Sequence, residues 1–473
     1  RGFMLDISRC KVPTMDTLHN LVRLLARLRY NQLQLYTEHT FAFRDHETVW
    51  RDASPITPGE IQELDTLCAG HGIELVPNFN SFGHFERWLR HEPYRHLAEC
   101  PDGFRREEPR IVRDHGGTLR PDQATLDFLA PLHDEFLENF TSQQFNVGLD
   151  EPWELGQGWS RPLVEERGRH TVYIEFLQQI HELVQSRGKT MLFWSDILLE
   201  RPDLVGRVPG DAVPVIWGYE SDHPFPEQCR QVAGCGLNYL VAPGTSTWNS
   251  FNGRLPNALD NICASINSAL EHGAIGSLLT SWGDNGNLQP WPSMLPPLFY
   301  HAGIAWNHRE TSQVPLPRIL DHHLFKDDTG LISKTLFGLG NADYIIPANQ
   351  RAWMRGANEA TLINVHIETA LGLENAEEIV SCPHIDMVYV GPTDFSIELG
   401  HPGDYDHPDV RKGMDHILKL CLKHGVPFGT TPTNRKAAAR WVARGCRFFE
   451  MHTELDLVYE GACRVVDEFG SLK

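Results

Sequence analysis

Several common signatures are missing from this chain of 473 residues. No window approaches the roughly 18 uncharged apolar residues that a transmembrane helix needs, which excludes a helical membrane protein. Positive charge is short: 42 Lys and Arg stand against 62 Asp and Glu, a formal net charge of −20. That balance argues against nucleic acid or an anionic membrane as the main partner, and leaves room for a local basic pocket. The ten cysteines form no C-x-x-C pair, so neither a zinc knuckle nor a thioredoxin motif is indicated. A chain this long needs no disulfides, and buried free thiols are expected. No G-x-G-x-x-G follows the first apolar block, so a dinucleotide fold has no fingerprint. No signal pattern precedes that block either. The chain opens Arg1-Gly2-Phe3-Met4 and reads as truncated or processed, which leaves the compartment open with cytoplasmic the nearer reading.

The apolar content is ordinary, 41% of residues, enough for a core of normal size. It falls in short continuous blocks: Phe3–Ile7, Leu33–Tyr36, Ile73–Pro77, Phe145–Leu149, Met191–Trp194, Val213–Trp217, Tyr239–Ala242 and Ser277–Thr280. Continuous runs of this length suit buried parallel strands. Helical signals lie between them. Thr57-Pro58-Gly59-Glu60 is a capping box with Pro at the first helical position. Met15, Leu18, Val22, Leu25 and Leu28 keep helical spacing. Eight such units over residues 1–310 predict an α/β fold, a (β/α)8 barrel.

Chemistry in such barrels gathers at the C-terminal strand ends. Those ends carry Asp6 and Arg9, Glu38, His84, Asp150-Glu151, Trp194, Trp217, Trp248, and Trp282 with Asp284. Adjacent carboxylates on a strand point to opposite sides. Asp150 and Glu151 are therefore expected to divide the work, one donating a proton and the other holding a neighbouring substrate group. The alternative is a loop cap and a solvated acid. Arg9 either forks onto vicinal hydroxyls or forms an ion pair with Asp6 or Glu38. His84 either orients a carboxylate or is a satisfied loop histidine. Four Trp at one rim favour a sugar platform over random core packing.

The runs R-G-F-M-L-D-I-S-R at 1–9, T-P-G-E-I at 57–61, P-N-F-N-S-F-G-H at 77–84, N-V-G-L-D-E at 146–151 and W-G-D at 282–284 resemble the family-20 glycoside hydrolases, the β-N-acetylhexosaminidases. The resemblance implies substrate-assisted retaining hydrolysis without a cofactor, in which the 2-acetamido oxygen is the nucleophile. It implies Glu151 as general acid/base and Asp150 as the residue orienting the acetamido group. It implies substrate binding by Arg9, Glu38, His84, Asp284 and the pocket of Trp194, Trp217, Trp248 and Trp282. The expected ligand is an amino-sugar glycoside or oligosaccharide. Asn146 stands where the family usually has His, Asp284 where it usually has Glu, and the loop Trp248–Arg254 holds no Tyr to match the family's acetamido-binding residue. Preference between gluco and galacto sugars is left open.

A connecting region, 311–349, shows prolines and no clear strand. Beyond it, Leu362–Ile367, Met387–Val390, Pro427–Thr430 and Arg447–Met451 predict four further βα units over 350–473, half a barrel. H-I-E-T-A at 366–370, I-D-M-V-Y-V-G-P-T-D-F-S at 385–396 and L-G-H-P-G at 399–403 resemble the C-terminal half of the HpcH/HpaI class II aldolases. The resemblance implies Glu368 and Asp394 as ligands for Mg²⁺, Mn²⁺ or Co²⁺. The half barrel bearing that family's base and substrate arginine has no counterpart here, so aldol chemistry is the alternative function and a non-catalytic sugar-binding fusion remnant the third. An open half barrel exposes sheet edges and an apolar face, which predicts homo-oligomerisation.

Overall fold

The computed structural model describes residues 1–107, 111–250, 252–311, 315–341, 362–451, 461, 463 and 464. The chain divides into two units, residues 1–350 and 351–473. In the first, a closed parallel barrel is built from β1 (Gly2–Asp6), β2 (Gln32–Thr37), β3 (Glu74–Phe79), β6 (Gln144–Asn146), β7 (Thr190–Trp194), β8 (Val213–Trp217), β9 (Leu240–Ala242) and β10 (Gly276–Ser281), with β10 closing onto β1. Between β3 and β6 the chain makes a small antiparallel hairpin, β4 (Phe104–Arg106) with β5 (Ile111–Arg113), which the apolar pattern does not announce.

Each barrel strand is buried on both faces, which is why it reads as a continuous apolar run. Met4, Tyr36, Leu192, Trp194, Val215 and Leu278 fill the interior. Their neighbours Phe3, Leu5, Leu35, Met191, Phe193 and Leu279 pack outward under the helices. The period of two along a strand separates these two cores. Polar residues in the barrel centre satisfy each other: Asn78 and Asn146 both donate to Gln34 Oε1, at 2.9 and 3.1 Å.

The helices start where the sequence places them. Thr14 caps Met15–Arg27. Thr57 caps Pro58–Gly70 with both capping-box bonds made: Glu60 N donates to Thr57 Oγ1 at 3.3 Å, and Thr57 N to Glu60 Oε2 at 2.8 Å. Such a cap contributes about 1 kcal/mol. In the region expected only to connect, Leu316–Leu320 and Leu331–Gly340 are helical, and Leu320 is buried in the barrel's outer core.

The second unit holds β11 (Asn364–His366), β12 (Met387–Val390), β13 (Phe428–Thr430) and β14 (Phe448–Phe449), one parallel sheet in chain order. Its own core gathers Val388, Val390, Phe395, Ile417 and Phe428. All ten cysteines are free, but Cys10, Cys235, Cys382 and Cys463 are exposed rather than buried. No helix among the described residues is long and apolar enough to cross a membrane.

Candidate active site

The barrel mouth is organised around Arg9. Beyond β1 its guanidinium lies 2.8 Å from Asp6 Oδ2, 3.0 Å from Glu38 Oε1 and 3.3 Å from Asp284 Oδ1. It also lies over the rings of Tyr36 and Trp282, at 5.0 and 5.3 Å. Both alternatives for Arg9 are thus compatible: it is ion-paired, and it still faces the mouth. Three carboxylates raise its pKa well above the ordinary value in spite of its burial. Asp6 ties this corner together by accepting from Ser8 N and Gly283 N, at 2.8 and 2.9 Å.

Asp150 and Glu151 depart from the strand geometry expected of them. β6 ends at Asn146, and the chain then turns through left-handed backbone at Gly148, Leu149 and Glu151, with φ of 73°, 71° and 47°. For a bulky non-glycine residue that conformation is costly, and strain of this kind concentrates at functional sites. The turn brings both carboxylates to one imidazole: Asp150 Oδ2 lies 3.3 Å and Glu151 Oε2 3.6 Å from His84 Nε2. Two tight fits hold the turn. A side chain at Gly83 would place its Cβ 2.4 Å from the Asp150 carbonyl oxygen, and one at Gly148 would sit 2.0 Å from Asn80 Oδ1. Asn146 Oδ1 accepts from Gly148 N at 3.1 Å. Further along, the buried Glu99 accepts from the backbone N–H groups of Gly156, Gly158 and Ser160 and so anchors the segment after Glu151.

The electrostatics follow from this crowding. Burial works against the His84 cation, but Asp150, by charge and hydrogen bond, lifts its pKa to about 10. Burial lifts the Glu151 carboxyl to about 7, opposed by His84 and assisted by Asp150. Burial, then the Asp150 charge, holds Asp196 well above the usual carboxylate range. Asp196 Oδ2 in turn accepts from Glu151 N at 3.1 Å.

An aromatic cage adjoins the carboxylates. Trp194 packs on Trp282 with ring centroids 5.7 Å apart, Trp217 stacks on Tyr219 at 5.2 Å, and Trp248 meets Tyr219 edge-on at 4.9 Å. Trp282 Nε1 donates to Tyr219 Oη at 2.7 Å. The structure therefore brings together every barrel residue the sequence singled out: Arg9, Glu38, His84, Asp150, Glu151, Asp284 and the four Trp. Buried polar atoms here have no partner among the described residues, namely Asp150 Oδ1, Asp196 Oδ1, and the indole Nε1 atoms of Trp194 and Trp217. Unmade bonds of this kind are expensive unless a ligand completes them.

Sequence reasoning passed over Tyr219, Tyr36 and Asp196. Tyr36 donates to Glu38 Oε1 at 2.8 Å and accepts from Asn80 Nδ2 at 2.8 Å. The signal for Tyr219 and Asp196 was their place just beyond β8 and β7, each two residues after a Trp.

In the second unit, Glu368 follows β11, with Oε1 accepting from Gly391 N at 2.7 Å and 3.3 Å from His366 Nδ1. Asp394 lies in the first turn of the helix Pro392–Glu398. Among the described residues, the grouping of three potential metal-binding side chains is elsewhere, at His401, His407 and Asp409.

Comparison with known proteins divides the chain in the same way. The family glycosyl hydrolase family 20, catalytic domain, matches residues 1–252, more than half the chain, and HpcH/HpaI aldolase/citrate lyase matches 341–460. Among solved structures, an exo β-N-acetylglucosaminidase from Vibrio harveyi is similar at TM-score 0.54 and 17% identity, over 72% of this chain and 58% of that one. A β-N-acetylhexosaminidase from Bacteroides fragilis is similar at 0.52 and 17%, over 69% and 70%. At that identity these likenesses speak for the barrel fold. The 5-keto-4-deoxy-D-glucarate aldolases of Shigella dysenteriae and Klebsiella pneumoniae are each 32% identical over 113 residues, 24% of this chain. The chain spans 44% of the length of those relatives.

Proposed function

The chain belongs to glycosyl hydrolase family 20, and from that premise we propose that this glycoside hydrolase is a retaining, exo-acting β-N-acetylhexosaminidase. It releases terminal β-linked N-acetylglucosamine or N-acetylgalactosamine by substrate-assisted catalysis. The observation that carries this reading is the pairing of Asp150 and Glu151 on His84 beside an aromatic cage. Both carboxylates face one imidazole rather than flanking a bond from opposite sides, an arrangement that suits a nucleophile supplied by the substrate.

The acetamido group enters the Trp cage, and its N–H meets the unpartnered Asp150 Oδ1. Its carbonyl oxygen attacks the anomeric carbon as the bond to the leaving oxygen breaks. Glu151 gives its proton to that oxygen, and an oxazolinium ring forms. Glu151 then takes a proton from water, which opens the ring with net retention. A carboxyl near 7 serves both halves at neutral pH. The apolar cage excludes stray water and strengthens the Asp150 contact. Arg9, Glu38 and Asp284 face the ring hydroxyls. The domain limits that go with this reading are a catalytic barrel at 1–310, a connection at 311–349 and an aldolase-like segment at 350–473.

The test is hydrolysis of 4-nitrophenyl β-N-acetylglucosaminide and its galacto epimer. Glu151→Gln is expected to lower kcat about 10²- to 10⁴-fold, and EDTA to leave turnover unchanged. Well-folded wild-type protein that turns over neither sugar would sink the proposal.

A second activity, metal-dependent cleavage of 2-oxo acids by the second unit, is favoured by the HpcH/HpaI match and by the strand-end position of Glu368. It would be lost with EDTA and in Glu368→Gln while the glycosidase persists.

A further inference from the structure

A second cleft opens off the candidate site on its Arg9 side. Its near part, about 340 Å³, is walled by Arg9, Glu38 and His84 and, beyond them, by Arg87 and Arg90. Its far part, about 720 Å³, shares Ser8, Arg87 and Arg90 with the near part and adds Lys11, His39 and Asp52.

Two of the cations on this wall, Arg87 and Arg90, have no carboxylate partner among the described residues. In the near part Glu38 is taken by Arg9, and Glu86 by Arg113. Arg87 and Arg90 are exposed and make no ion pair among the described residues. Arg90 Nε donates to a neutral acceptor, His91 Nε2, at 3.1 Å, and Lys11 Nζ to the carbonyl of Gln289 at 2.7 Å. Asp52 is the one carboxylate among the described residues lining the far part. His39 is 7% exposed, and its Nδ1 has no partner. Burial, then Arg87 and Arg90, hold it down to about 4, so it offers a hydrogen bond rather than charge. A chain of net charge −20 repels anions over most of its surface. Unpaired arginines lining a cleft that leads to the site mark the place where that repulsion is reversed.

We propose that this cleft is a subsite for an anionic group on the glycan, a sulfate ester or a carboxylate carried on the terminal amino sugar itself. The proposal rests on the adjoining pocket being the amino-sugar site. Arg87 and Arg90 hold the anion by forked hydrogen bonds, and Lys11 and His39 face it from behind.

The experiment compares three 4-nitrophenyl β-N-acetylglucosaminides: bare, O-sulfated, and O-carboxymethylated. In wild type, kcat/KM is expected to be about tenfold higher or more for an anionic substrate than for the bare one, a gain that falls with added salt. In the double variant Arg87→Gln, Arg90→Gln that gain disappears while the bare substrate is unaffected. The sulfated and carboxymethylated arms distinguish the two sources of charge. Turnover of the bare substrate with no gain from either anion overturns the subsite and leaves the hydrolase reading standing. So does equal loss on all three substrates in the variant. Should none be turned over, the hydrolase reading fails. Calorimetric titration with the sulfated and bare monosaccharides then decides: selective binding of the sulfated sugar, lost in the double variant, supports the subsite, and equal binding overturns it.

Discussion

Glu151 must carry a proton to act as an acid, and its carboxyl titrates near 7. The kcat/KM profile is therefore expected to fall on the alkaline side, about tenfold per pH unit above that value. The imidazolium of His84 pulls the carboxyl downward. His84→Gln removes that cation, so the alkaline limb should move to higher pH even as the maximum rate drops. An unmoved limb would show that the titrating group is not Glu151. Tyr219 makes a different kind of contribution. Tyr219→Phe leaves the indole N–H of Trp282 without its acceptor. A buried donor stranded in this way costs about 1–3 kcal/mol. A lowered melting temperature together with a raised KM for the amino sugar is expected, and a change in neither would mean the cage does not depend on that bond. The sequence displayed Asp150, Glu151 and the four Trp because strand-end acids and aromatics stand out at fixed places after apolar blocks. Tyr219 and Asp196 stood at equivalent places, but one Tyr and one Asp in loops carry no pattern of their own. Their roles come from what the fold brings into hydrogen-bond reach, such as Trp282 after β10 against Tyr219 after β8.

At the scale of elements, the loop after β3 and the loop after β6 act as one piece. Gly83 admits the Asp150 carbonyl to within 2.4 Å of where a Cβ would stand. Gly83→Ala must push the two loops apart, and a displacement near 1 Å at reacting groups costs about 100-fold in rate. The expected result is a kcat drop of that order in a protein whose circular dichroism spectrum is unchanged. Wild-type kcat in Gly83→Ala would show that the carboxylates are not positioned by this contact. The barrel strands were legible because burial on both faces writes an unbroken apolar run, and Val213–Trp217 and Met387–Val390 coincide with the observed strands. β6 was read three residues too long at its C-terminal end. Val147 and Leu149 are buried and apolar, yet the backbone has already left the strand at Gly148. That left-handed turn is invisible in hydropathy, and it is what sets the two carboxylates on a common partner. The hairpin of β4 and β5 escaped notice for the opposite reason: its strands are three residues long, rich in Arg, and only Phe104 is buried.

At the scale of the whole molecule, the described residues form separate apolar cores, those of the barrel unit and that of the second sheet. Cores that share no residues need not melt together, because cooperativity follows shared burial. Two transitions are expected in scanning calorimetry. The candidate site lies wholly within residues 1–350, so an amino sugar should stabilise only the larger unit. At a hundred times its Kd it adds about 2.7 kcal/mol, which over a unit of this size raises the melting temperature by about 4 °C. Mn²⁺ with EDTA as its control tests the other unit: a shift confined to the smaller transition, and lost in Glu368→Gln, would place a cation there. If the sugar instead moved both transitions by equal amounts, the two cores would have to be thermodynamically coupled, and residues 351–473 would have to be counted as part of the hydrolase rather than as a unit carried beside it.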